Sequence, residues 1–190
     1  MEACRKRTIL RGEIALLTAL VINSFGVALM LYSGSGISAI SSVPYALTGV
    51  LPALSLGTWT YLFQGVLVLS LMLLRRQIVV SYLFSFAVGF CFGKLLDVQE
   101  LWIHALPKTL PLQVVYFMVS YTAICIGIAL SNRCKMPIVP TDLFPRELSA
   151  ISGAPYGRIK VSFDLTCLAA TALLTSVFLG RLDGLGVGTI

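Results

Sequence analysis

Residues 37–54 read Ile37-Ser38-Ala39-Ile40-Ser41-Ser42-Val43-Pro44-Tyr45-Ala46-Leu47-Thr48-Gly49-Val50-Leu51-Pro52-Ala53-Leu54, and whether this stretch crosses a membrane decides the fold. It carries no charge, which favours crossing, but it contains two prolines, a glycine and five hydroxyl-bearing residues. Backbone broken in this way is tolerated at membrane depth only where it is buried in protein or lines a cavity.

Five longer apolar runs surround it: Gly12 to Tyr32, Gly57 to Leu74, Gln77 to Leu96, Pro111 to Ser131 and Gly157 to Gly180. Each is long enough to cross ~30 Å of hydrocarbon at ~1.5 Å per residue. Basic residues then choose between the two topologies. If 37–54 does not cross, eleven of the fourteen Lys and Arg share one side: Arg5, Lys6, Arg7, Arg11, Arg75, Arg76, Arg133, Lys135, Arg146, Arg158 and Lys160. Only Lys94, Lys108 and Arg181 then take the other, whereas a crossing splits them seven to seven. Cytoplasmic loops carry the excess of Lys and Arg. The N-terminus is therefore expected in the cytoplasm of a multi-pass plasma (inner) membrane protein, with 37–54 re-entrant or interfacial on the outer side.

Composition agrees. Of 190 residues, 57% are hydrophobic and 12% charged, against ~25% charged in ordinary soluble domains, and mean hydropathy is +0.92. A water-soluble globule, disorder and a disulfide scaffold are excluded. The net charge of +6 does not mark a nucleic-acid surface, because its residues cluster at the ends of apolar runs. Five cysteines without a C-x-x-C pair and a lone histidine, His104, suggest neither a disulfide framework nor a metal site. No phosphate-binding loop, zinc-protease or nucleophile-elbow motif is present. No enzyme and no cofactor are expected.

The chain also repeats itself. An offset of 101 pairs Gly26 with Gly127, Ala28 with Ala129, Pro44 with Pro145 and Thr48 with Ser149. An offset of 100 then pairs Gly57 with Gly157, Phe63 with Phe163 and Gln64 with Asp164. Each half reads as a helix, a broken segment and two further helices, an odd number of crossings, so the second copy must be inverted. The fold class expected is an all-α polytopic membrane protein of two inverted three-helix repeats. Residues 1–96 form the first and 111–190 the second, with broken segments at 37–54 and 137–154. A sixth helix beginning near Gly184 is expected to be cut short at Ile190. Paired discontinuous segments in inverted repeats mark secondary transporters, whose sites lie near the midplane.

Polar residues inside the spans are the candidate site. Asp164 costs ~2.5–3.5 kcal/mol if it faces lipid, so it is expected to face the bundle interior, a water-filled cavity or a cation, or to pair with Lys160 four residues earlier. Gln64 occupies the symmetric place and Asn23 lies midway along the first run; each serves a site or is interhelical hydrogen-bonding glue. The broken segments add Ser41 and Ser42 in the first half and Thr141 and Asp142 in the second. Thr141 or Asp142 sits near a helix start able to bind an anion, unless Asp142 neutralises it.

Three stretches resemble the YczE/YyaS/YitT-type group of multi-spanning bacterial membrane proteins: Gly26-Val27-Ala28-Leu29-Met30, Ser55-Leu56-Gly57-Thr58-Trp59 and Asp183-Gly184-Leu185-Gly186-Val187-Gly188-Thr189-Ile190. Val139-Pro140-Thr141-Asp142 is similar to that group's Ser-Pro-x-Asp pattern, while Ile40-Ser41-Ser42-Val43 departs from it. The resemblance implies an integral membrane protein linked to transport or regulation, without catalytic residues to carry over. The expected function is a permease-like protein moving a small solute or ion between the repeats. The rival is a membrane-embedded substrate-binding or regulatory subunit that needs a partner protein. A homodimer is a further expectation for a chain with five complete spans.

Overall fold

A computed structural model describes residues 2–77, 79–133 and 139–180, with side chains described for 12–77, 79–131 and 139–180. Among these residues there are seven helices and no strand: α1 (Glu2–Ser33), α2 (Ala39–Val50), α3 (Leu56–Arg75), α4 (Val80–Ile103), α5 (Leu110–Arg133), α6 (Pro140–Ser152) and α7 (Tyr156–Leu179). Five are long and apolar enough to cross a membrane, namely Gly12–Ser33 within α1, α3, α4, Leu110–Ser131 within α5, and α7. The seven-residue run from Gly184, read as the start of a sixth span, lies outside the described residues.

Local chemistry sets the helix ends. Ser55 caps α3 by accepting the Thr58 N–H at 3.2 Å, and Pro140 takes the first position of α6, where its missing N–H costs nothing. Gly153 ends α6 at φ +69°, a left-handed conformation open to glycine. The third span departs from its expected bounds of Gln77 to Leu96, because α4 continues to Ile103 through Asp97 and Glu100. Hydropathy reads those acids as the end of a span. Asp97 is instead absorbed by α3: its carboxylate accepts the Gly57 N–H at 2.8 Å and the Ser55 hydroxyl at 3.0 Å, neutralising the start of that helix.

The broken segments are two short helices, α2 of twelve residues and α6 of thirteen, each with an internal proline, Pro44 and Pro145. An offset of 101 carries one onto the other, and contacts obey the same exchange. At the crossing of α1 and α5, a Cβ on Gly26 would stand 2.7 Å from Ile124, and one on Gly127 would stand 2.5 Å from Asn23 Cγ. Asn23 and Ile124 are one offset pair, Gly26 and Gly127 another, so each helix presents the same positions to its counterpart. Numbers rise along α1 as they fall along α5, which makes the two antiparallel. Likewise α2 packs on α7 where Ser42 meets Thr171 at 2.7 Å, and α6 packs on α3 where Leu143 and Leu71 share one buried apolar cluster. These contacts exchange under the two offsets, a polar pair in one half standing for an apolar pair in the other.

Depth follows from the same contacts. α2 starts beside the middle of α7 and finishes with Gly49 against Leu179 at its end. α6 starts with Pro140 beside Gly89 in α4 and finishes with Glu147 on Arg75 at the end of α3. Since α2 leads directly into α3 and α6 into α7, the two short helices begin at mid-depth and run out to opposite faces. They are half-helices, and their N-termini point inward.

Candidate functional site

The inward ends of α2 and α6 open onto one cavity of about 250 Å³ to which all seven helices contribute side chains. Its depth is set by Asn23, at the middle of the 22-residue span of α1, and by Gln64, near the middle of α3. Phe63, Phe92, Ile124 and Val139 supply apolar wall.

Two amides are set into this wall by glycines. Gln64 is 1% exposed and lies over Gly89 of α4, whose added Cβ would stand 3.1 Å from Gln64 Cδ with the amide oxygen nearer still. Asn23 occupies the matching place over Gly127 of α5. Side chains at positions 89 and 127 would fill the space the amides use. The oxygens Gln64 Oε1 and Asn23 Oδ1 are buried and accept no hydrogen bond. A buried amide group left unpaired costs ~1–3 kcal/mol, and each oxygen lies against its glycine, where the missing Cβ leaves it room.

The half-helices supply the opposite chemistry. The first backbone N–H groups of a helix have no intrahelical acceptor, and the helix dipole places partial positive charge there. Ser38, at the N-cap of α2, does not cap it with its side chain; its hydroxyl donates to Ser41 Oγ at 3.1 Å, and both residues line the cavity. At α6, Thr141 and Asp142 line it. Pro44 and Pro145 have no N–H to give the carbonyls of Ile40 and Thr141 four residues earlier.

Of the candidate residues, the cavity gathers Asn23, Gln64, Ser41, Thr141 and Asp142. It does not gather Ser42 or Asp164. Ser42 is fully buried and turned away, its hydroxyl 2.7 Å from Thr171 Oγ1, so it fastens α2 to α7. Asp164 accepts from Lys160 Nζ at 2.9 Å, the i, i+4 pairing that its position on a helix allows. Lys160 itself lines the cavity, as do Thr60 and Tyr156, none of which stood out in the sequence. The signal for Lys160 was present as the partner of Asp164. Among the described residues, no three His, Cys, Asp or Glu side chains gather into a metal-binding group.

α6 is fastened at its outward end. The fastening is Glu147, whose Oε2 accepts from the Tyr82 hydroxyl at 2.6 Å and pairs with Arg75 at 2.6 Å. The equivalent positions in the other half, Ala46 and Thr175, carry no charge.

Over residues 10–190 the chain matches a family described as a family of unknown function, DUF6198. No curated protein and no solved structure matches it.

Proposed function

We propose that this chain, which belongs to the DUF6198 family, is a small secondary carrier of the bacterial plasma membrane that moves a polar solute through the cavity between α2 and α6. The observation that carries the reading is that two half-helices, related by the internal repeat, turn their N-termini onto one cavity at mid-depth. Sites at the interface of inverted repeats, built from discontinuous helices, are the geometry of alternating access. Residues 1–96 and 111–190 are then the two units that rock against each other, with the N-terminus and the Arg75–Glu147 fastening on the cytoplasmic side. The kinship with the YczE/YyaS/YitT-type group belongs to the same reading. No covalent step is involved, so the protein is not an enzyme.

Alternating access needs each half-helix to part from its neighbour in turn. Ser42–Thr171 would part on the outer side and Glu147 from Arg75 and Tyr82 on the inner. Partners beyond lipid and solute are a second copy or a companion subunit, for which α5 and α7 offer the least buried spans, 17% each against 44% for α1. Solute flux into liposomes holding the purified chain alone, lost in Gln64→Leu with the protein still monodisperse, supports the carrier. Solute binding without flux, with flux restored only by a copurifying partner, would transfer the reading to a substrate-binding subunit.

A further inference from the structure

The other five acids whose side chains are described show how this bundle handles a carboxylate. Asp97 accepts the Gly57 N–H and the Ser55 hydroxyl, Glu147 meets Arg75 and Tyr82, Asp164 pairs with Lys160, Glu100 faces His104, and Glu13 is exposed. Asp142 is the exception. It stands in the first turn of α6, on the wall of the mid-depth cavity. Among the described residues no cation pairs with its carboxylate and no hydrogen bond reaches it. We propose that Asp142 is a proton-binding site, neutral while the cavity is closed and ionised when it opens to water, so that one proton crosses with each solute. The coupling rests on the carrier reading; the proton site rests on the residue and its surroundings.

Those surroundings hold no charge free to match it. From α7 the cavity receives Lys160 and Tyr156, but the Lys160 ammonium is spent on Asp164 at 2.9 Å. On α6 itself Arg146 follows one turn later and is exposed. Arg75 of α3 and Tyr82 of α4 meet α6 at its far end, on Glu147. What the first five helices place on the cavity wall, such as Asn23, Ser41, Thr60, Phe92 and Ile124, is uncharged.

An ionised carboxylate at this depth without a partner is costly, and the positive end of α6 offsets only part of that cost. A proton removes the charge and needs no ligand beyond the carboxylate. A metal cation would add its own charge to a wall that already holds Lys160, and hard cations ask for several oxygens at once. Among the described residues no three His, Cys, Asp or Glu side chains gather to supply them. The carboxylate therefore takes a proton from water when the cavity closes and returns it to water when the cavity opens on the other side. The O–H bond made on one face is broken on the other, and no further reactant is used. The position equivalent to Asp142 in α2 is Ser41, which does not titrate, so each chain has one such site.

The test reads the proton without needing the solute, by infrared difference spectra of the full chain in nanodiscs as pH is stepped. A carboxylic-acid carbonyl band present at neutral pH is expected, lost in Asp142→Asn and kept in Glu100→Gln. If Asp142→Asn does not fold, Asp142→Glu should shift the band instead. Spectra in sodium chloride and choline chloride should agree. No band at neutral pH, a band that persists in Asp142→Asn, or a band that sodium abolishes at constant pH overturns the proton site. Solute flux that responds to an imposed pH gradient equally in the parent chain and Asp142→Asn overturns the coupling. The band without any solute carried by the chain alone retains the site and overturns the carrier reading, whereas flux without the band does the reverse.

Discussion

The replacement Gly89→Ala tests how the site is built, because it adds one methyl group at the point where Gln64 is seated. That methyl would stand 3.1 Å from Gln64 Cδ and 3.1 Å from Pro140 Cδ, with Oε1 closer still. Carbon pairs rest at ~3.5–4.0 Å, so the two carbons must each yield by about 0.4–0.9 Å and Oε1 by more. Pro140 belongs to the inward end of α6 and is buried, leaving Gln64 to move, and the open direction is the cavity. Overpacking of this kind costs ~1–3 kcal/mol, and alanine returns ~1 kcal/mol of helix propensity. The net loss is about 0–2 kcal/mol, or a melting temperature lower by up to about 8 °C for a chain of this size. Solute affinity should fall more steeply, by at least about tenfold, since the displaced amide takes the solute's place. Thermal unfolding of Gly89→Ala, Gln64→Ser and the double variant forms a cycle in which shortening Gln64 relieves the clash, with a coupling of about 1–2 kcal/mol. Additivity within ~0.5 kcal/mol would refute the seating of Gln64 on Gly89.

Gly57→Ala should be far more damaging, because the added Cβ would overlap the Gly93 carbonyl oxygen and approach Asp97 Oδ1 at 2.5 Å; backbone cannot rotate away, so a loss above ~4 kcal/mol and of monodisperse protein on gel filtration is expected. Glu147→Gln weakens the fastening of α6, and with side chains 36% and 23% exposed the Arg75 pair is worth at most ~1 kcal/mol, so thiol labelling of a cysteine placed at the α6 end of the cavity should quicken by up to about fivefold. Asp164→Asn unpairs Lys160 but leaves the cavity wall in place; both side chains are about 30% exposed, so the melting temperature should change by the equivalent of less than ~1 kcal/mol, and a larger fall would place Asp164 deeper than the structure does.

Much of the architecture is legible in the sequence because a bilayer simplifies the problem. Apolar length gives the spans, and Pro44 with Pro145 marks the half-helices. The candidate site was legible for Asn23, Gln64, Ser41, Thr141 and Asp142 because polar groups at mid-span have few ways of being satisfied. Two things were hidden. Hydropathy counts charges without knowing their partners, so it closed the third span at Leu96, although Asp97 is spent on the start of α3. For Asp164 the sequence left open a place at the site or a pair with Lys160; the packed bundle takes the pair, and Lys160 is its member that reaches the cavity. Gly93 admits the Gly57 backbone and Gly89 the Gln64 side chain, both on α3. A side chain's neighbours across a helix crossing are a property of the packed bundle, and spacing along one helix does not contain them.

The central claim is that Ser41 and Thr141, a hundred residues apart, face a single cavity. Cysteines placed at both positions in a chain cleared of its five native cysteines, treated with a short bifunctional methanethiosulfonate, measure this directly. Crosslinking of the pair within one chain, suppressed when the solute is bound, is the result the account requires. Labelling of each cysteine singly without crosslinking, or crosslinking that the bound solute leaves unchanged, would contradict it.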